Sequence, residues 1–162
     1  MPIRPAETAD AKTLAMLIRE SNRDVAIAFG LNAGNCPKHP SFCTDAWIEA
    51  DFQRGERYFI FHAGSVPVAC VAYETPRPGL AYLNRLSVLP THRRQGIGEH
   101  LVRFIIDKAH SEALSTLSIG VIGEHLVLQQ WYARLGFAHG ETKRFAHLPF
   151  SVKYMAYGLQ RG

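Results

Sequence analysis

The sequence predicts an α/β fold with one mixed sheet, and three observations predict it. Strand-like and helical periodicities follow one another in the order β-α-α-β-β-β-α-β-α-β-β. A strand signal at 81–89 runs through a short turn into a helix that starts beside two glycines, Gly96 and Gly98. No repeat, low-complexity stretch or linker interrupts the 162 residues, so 1–162 reads as one domain, large enough to bury a core.

Each element has its own signal. Ile3-Arg4 marks a short first strand, and Thr8-Ala9-Asp10 marks a helix start, followed by Leu14, Leu17 and Ile18 at helical spacing. That helix is expected to run to about Ala28 and stop at Gly30. Residues 30–43, rich in Gly, Asn, Pro and Ser, read as a long loop. A second helix fits Asp45 to Gln53, with Trp47, Ile48 and Phe52 as its apolar face. Arg57 to His62 is aromatic and β-branched, and Gly64-Ser65 turns it into a strand over Val66–Glu74. Pro76, Pro78 and Gly79 break the chain before the strand Ala81–Leu89, which Pro90 closes. Beyond Gly98, Leu101, Ile105 and Ala109 share one helical face. Ser115–Val121 reads as a strand, Glu124–Leu135 as a helix ended by Gly136, and Phe137–Thr142 and Val152–Leu159 as two last strands.

Composition narrows the function. With 47% apolar and 20% charged residues the chain has a globular profile, and no apolar run approaches the ~18 residues of a membrane span. The first residues lack the apolar core of a signal peptide, so a cytoplasmic protein is expected, with no membrane partner. Cys36, Cys43 and Cys70 cannot complete a disulfide framework, which suits a reducing compartment. The net charge of +4 comes from scattered arginines, of which only Arg93-Arg94 form a tight pair. No stripe of basic and aromatic residues accompanies them, which speaks against nucleic acid and for a small polyanion.

The stretch from Leu86 to Gly98 carries the chemistry. Here a strand ends and a helix begins among glycines, which let the backbone approach a ligand. A helix start leaves N–H groups unpaired at the positive end of its dipole, and phosphate is the usual guest. The arginines beside it would add charge-assisted bonds. The P-loop pattern is absent because no Gly-Lys-Ser/Thr follows, and the dinucleotide fingerprint fails because Leu101 replaces its third glycine.

Arg93-Arg94-Gln95-Gly96-Ile97-Gly98 resembles the (Arg/Gln)-x-x-Gly-x-(Gly/Ala) signature of the GNAT superfamily of acetyl-CoA-dependent N-acetyltransferases. Trp131-Tyr132-Ala133-Arg134-Leu135-Gly136-Phe137 resembles the family's second signature, a tyrosine ahead of Gly-Phe, at the matching distance. The resemblance implies a twisted, mostly antiparallel sheet of about seven strands and about four helices, splayed between the fourth and fifth strands. It implies that amides of Arg93, Arg94, Gln95, Gly96, Ile97, Gly98 and Glu99 grip the coenzyme pyrophosphate. The edge of strand 81–89, through Leu86, Ser87 and Val88, would pair with the pantetheine arm. His125 stands where the family usually places an asparagine that touches the coenzyme.

The implied reaction is direct acetyl transfer to a primary amine of a small molecule or peptide, through a tetrahedral intermediate. Tyr132 matches the family tyrosine that serves as general acid toward the leaving thiolate. An amine of pKa ~10 must lose a proton before attack, so a base is needed. The central strand offers no glutamate, which leaves Glu124, His125, Glu74 or an ordered water. This gap keeps a second reading open, a non-catalytic acyl-CoA-binding or sensing module. Cys36, His39 and Cys43 lack a fourth zinc ligand, and no metal is expected. The 30–43 loop and the segment 143–150 either shape the acceptor pocket or form a homodimer surface.

Overall fold

The computed structural model describes residues 2–159. One seven-stranded sheet runs in the order β1-β2-β3-β4-β5-β7-β6, with β1 Ile3–Pro5, β2 Arg57–Ala63, β3 Val66–Arg77, β4 Leu80–Val88, β5 Thr116–Ile122, β6 Ala138–Arg144 and β7 Ser151–Gly158. Every neighbouring pair is antiparallel except β4 with β5. Four helices flank it: α1 Ala11–Ala28, α2 Asp45–Gln53, α3 Ile97–Ser111 and α4 Leu126–Arg134.

Helix spacing decides which face each helix covers. On α1, Leu14, Leu17 and Ile18 recur on one side and bury against Tyr58, Ile60 and Cys70, together with Ile48 of α2. On α3, Leu101, Ile105 and Ala109 bury against Phe59, Val71 and Leu83 on the opposite face. Strand alternation makes this possible, since Tyr58 and Ile60 point one way and Phe59 the other. Leu101 and Ile105 are fully buried, each worth about 1.5–3 kcal/mol of transfer energy.

Local caps set the helix starts. A three-residue 3-10 turn, Thr8–Asp10, precedes α1, and Glu7 N–H donates to Asp10 Oδ2 at 2.8 Å. Trp47 N–H donates to Thr44 Oγ1 ahead of α2. Several boundaries shift by one or two residues from the sequence reading, and three departures matter for the sheet and the site. The third strand passes through Pro76 to Arg77, because the ladder is already irregular between Glu74 and Arg77 and asks no donor of the proline. Helix α3 starts at Ile97, with Gly96 as its N-cap at φ 80°. Helix α4 starts at Leu126, so Glu124 lies ahead of the helix in a turn. Among the described residues no helix is long and apolar enough to cross a membrane.

Candidate functional site

The sheet opens between its fourth and fifth strands. β4 and β5 pair only over Leu80–Tyr82 and Thr116–Ser118. Beyond that point β4 follows β3 and β5 follows β7, and the two part. The cause lies within β4. Cys70 and Ala72 of β3 face Ser87 and Asn84, so Arg85 and Leu86 share the one place opposite Val71. Arg85 takes φ 53° at this bulge, and a bulge bends its strand and sharpens the local twist. A cavity of about 620 Å³ lies in the opening, with Leu83, Asn84, Arg85 and Leu86 on one wall and Ile119, Gly120 and Val121 on the other.

A second cavity of about 380 Å³ lies at the N-terminus of α3 and shares Asn22, Val25, Leu86, His125 and Leu128 with the first. Leu86, Ser87, Val88, Arg93, Arg94, Gly96, Ile97, Gly98, Glu99 and His125 all line it, and of the sequence candidates for the coenzyme only Gln95 does not. Gly96 holds the left-handed φ of 80°, and a Cβ there would meet nothing within 4 Å. The space beside its backbone is therefore open to a ligand. Among the described residues no side chain caps this helix start, so its first N–H groups are left for an anion. These features fit a pyrophosphate.

Strand geometry directs Val88 outward. Leu89 N–H donates to Val68 O on the β3 side, so one residue earlier the main chain of Val88 points to the open edge. Its carbonyl already accepts from Arg93 Nε at 3.3 Å. The rest of the Arg93 guanidinium is also committed, to Asp24 Oδ2 at 2.6 Å and to the Ser21 carbonyl at 2.5 Å. The Arg93 side chain thus ties the turn to α1. Asp24 is held below the usual carboxylate range by its hydrogen bond from Arg93.

Tyr132 is 5% exposed and lines the first cavity, with Trp131 and Phe137 edge-on to its ring at 4.9 and 5.3 Å. Among the described residues no hydrogen bond engages its hydroxyl. Burial raises the phenol above its ordinary value, so it keeps its proton. His125 is the N-cap of α4, and its Nδ1 accepts from Leu128 N–H at 3.4 Å. That bond places the ring proton on Nε2, as a donor. Burial lowers its pKa and keeps it neutral.

Two candidate bases are placed elsewhere. Glu124 accepts from Ser151 N–H at 3.0 Å and from Ser151 Oγ at 2.8 Å, and it lines neither cavity. The turn at 123–125 directs it to β7, and the Ser151 bonds lower its pKa. Glu74 sits behind Asn84, whose Nδ2 donates to Glu56 Oε2 at 2.9 Å and to Glu74 Oε1 at 3.4 Å. Burial raises the pKa of Glu56.

The sequence reading missed what α1 supplies. Asn22 and Val25 line both cavities, and Asn22 Nδ2 donates to Ser87 Oγ at 3.4 Å. The 30–43 loop brings His39 and Pro40 to the first cavity, and the 143–150 segment brings Phe150. His39 Nδ1 lies 2.8 Å from Ser41 Oγ. Among the described residues no three His, Cys, Asp or Glu side chains gather as metal ligands. Burial pushes Cys43 up to about 11 and Cys70 up to about 12, and neither lines a cavity.

A mixed sheet parted at a bulged fourth strand, with an uncapped helix start facing the gap, defines an α/β protein of the acetyltransferase type. The acetyltransferase (GNAT) family model matches residues 19–137, and the chain belongs to that family. Its activity class is therefore acyl transfer. The protein smu.2055 from Streptococcus mutans UA159 superposes with a TM-score of 0.78 at 20% identity, over 99% of this chain and 100% of that one. The ribosomal-protein-S18-alanine N-acetyltransferase from Escherichia coli gives 0.79 at 17% identity, over 99% and 94%. yncA from Salmonella typhimurium, solved with its cofactor acetyl-CoA, gives 0.70 at 17% identity, over 99% and 94%. At these identities the likeness is one of fold. No curated protein sequence matches the chain.

Proposed function

We propose that the protein transfers the acetyl group of acetyl-CoA to the nitrogen of a primary amine. The observation that carries this reading is the joining of two cavities along one open strand edge. One holds the features of a pyrophosphate cradle at Gly96–Gly98 and the other holds Tyr132. The acetyl-CoA bound in the Salmonella protein of the same fold supports the choice of donor.

Acetyl-CoA supplies an activated thioester, and this chain's residues position it and manage the protons. The amides of α3's first turn and Arg94 hold the diphosphate, and the outward N–H of Val88 is directed to polarise the carbonyl. The C–N bond forms first, giving a tetrahedral intermediate, and the C–S bond then breaks. The amine loses one proton, and the thiolate gains one from the Tyr132 hydroxyl, which burial keeps protonated. Both Asn84 amide hydrogens face carboxylates, so its Oδ1 is the acceptor left for the amine. With Glu124 turned to Ser151 and His125 spent on its cap, an ordered water is the carrier that fits the amine's proton best.

Among the described residues no carboxylate lines the larger cavity, and this favours one other reading, an acyl-CoA-binding module without turnover. Titration calorimetry with acetyl-CoA, followed by a thiol-release screen over amines, separates the two. Binding with release is expected. Binding without release across the screen selects the module, and no binding removes both.

A further inference from the structure

The wall of the cleft beside the bulge carries a cation that the fold does not fully use. Arg85 lines the larger cavity from the bulge and is 23% exposed at its side chain. Its Nε lies 3.3 Å from Asp51 Oδ2. Among the described residues its terminal nitrogens donate to no acceptor. Asp51 meets Arg85 only through Nε and shares its two oxygens with other donors. Oδ1 accepts from Arg54 at 2.7 Å, and Oδ2 accepts from the buried Tyr58 hydroxyl at 2.5 Å. Arg85 also holds φ 53°, a left-handed conformation that residues other than glycine rarely adopt.

The surroundings favour an anion. Among the described residues no Asp or Glu lines this cavity. Arg85 also lies over the Trp47 ring, 5.8 Å from its centroid. His39, also in the lining, has its Nδ1 facing Ser41 N–H at 3.2 Å, which leaves Nε2–H as a donor. The remaining lining includes Tyr82, Phe150 and Tyr154. Among the described residues a primary ammonium would find no carboxylate in the lining, only neutral acceptors such as Asn84 Oδ1, whereas a carboxylate would find a guanidinium with free donors.

We infer that the acceptor is an amine that also bears a carboxylate, of the amino-acid class with an apolar or aromatic side chain, and that Arg85 is the residue that binds the carboxylate. The inference rests on the acetyl-transfer reading of the cleft. Arg85 thereby sets specificity and holds the amine toward Asn84 and Tyr132.

The test uses matched sets of free acid, carboxamide and decarboxylated amine: phenylalanine, phenylalaninamide and phenethylamine, with the leucine set beside them. Thiol release from acetyl-CoA is expected to favour the acids by at least about tenfold in kcat/KM, the effect of one lost charge-assisted bond. Arg85→Gln is expected to erase the preference by raising KM for the acids, with KM for acetyl-CoA unchanged. Amides or amines used as well as acids overturn the inference and leave acetyl transfer standing. Calorimetry of acids against amides, with and without coenzyme A, decides the inference even where no thiol is released. Binding confined to the acids, with no release, would sink only the catalytic reading, and equal or absent binding sinks the inference. Should Arg85→Gln fail to fold, the acid-against-amide comparison on the unaltered protein decides.

Discussion

Arg93 Nη1 lies 2.6 Å from Asp24 Oδ2, so the turn that starts α3 is tied to a helix nearly seventy residues earlier in the chain. The same guanidinium reaches the Ser21 carbonyl and the Val88 carbonyl. It therefore fixes the spacing between α1, the β4 edge and the cradle. Arg93→Ala is expected to raise the Kd for acetyl-CoA by about tenfold, roughly the worth of one charge-assisted contact. The loss of stability should stay below ~1 kcal/mol, because both partners are more than a third exposed. Asp24 has its pKa lowered in the folded state, so its contribution is present above the ordinary 3.8 and disappears as pH falls through the lower folded value. Calorimetry paired with urea unfolding checks this, and an unchanged Kd refutes the clamp.

Tyr132→Phe removes a hydroxyl that no hydrogen bond holds among the described residues and keeps the ring against Trp131 and Phe137. Turnover should fall by about 10²-fold or more, the usual worth of a general acid, with the Kd for acetyl-CoA within twofold of the original. Because burial raises the phenol above its ordinary 10.0, Tyr132 should impose no fall in kcat on the alkaline side below pH ~10. A variant that loses affinity and keeps its turnover contradicts the acid role.

Gly96→Val tests the cradle. At φ 80° a β-branched residue is strained by about 1–2 kcal/mol, although no atom lies within 4 Å of the new Cβ to oppose it by packing. The side chain instead enters the space beside the exposed amides. The expected result is a folded protein with a lower Tm and at least tenfold weaker acetyl-CoA binding, set by the ~1.4 kcal/mol of one lost contact. Normal affinity in a folded variant removes the pyrophosphate from this place.

Much of the frame was legible because local pattern and tertiary role agree. Leu101, Ile105 and Ala109 recur at helical spacing and are fully buried. Gly96 and Tyr132 belong to motifs whose spacing survives in the structure, one at each joined cavity. What escaped depends on contacts distant in sequence or on side-chain direction. Nothing local marks Asn22 as a cleft residue, because Ser87, its partner, lies sixty-five residues away. Arg93 reads as a phosphate ligand until Asp24 is placed beside it. Glu124 reads as a base until the turn before α4 directs it to Ser151. The bulge at Arg85 was invisible for another reason. Positive φ is advertised by glycine or asparagine, and here an arginine adopts it.

His125 offers the last check, since it stands in both cavities and caps α4. Its Nδ1 accepts from Leu128 N–H, and its ring meets Phe29 at 5.3 Å. Protonation fills the Nδ1 lone pair and breaks the cap. Burial lowers the folded pKa below the ordinary 6.5, so the cap's contribution is present above that value and is lost as pH falls through the folded one. Stability should therefore begin to decline as pH falls through the ordinary 6.5, and acetyl-CoA affinity at a lower pH, as the folded imidazole takes its proton. His125→Asn keeps an acceptor for the cap and a donor for the ligand without a titrating group, so it should bind at neutral pH within about threefold and lose the acid-side decline. His125→Ala removes both functions and should cost ~1 kcal/mol of stability, typical of a lost N-cap, along with affinity. Calorimetric titrations of the three proteins from pH 5 to 8 measure the difference, and an acid-side decline that persists in His125→Asn assigns it to another group.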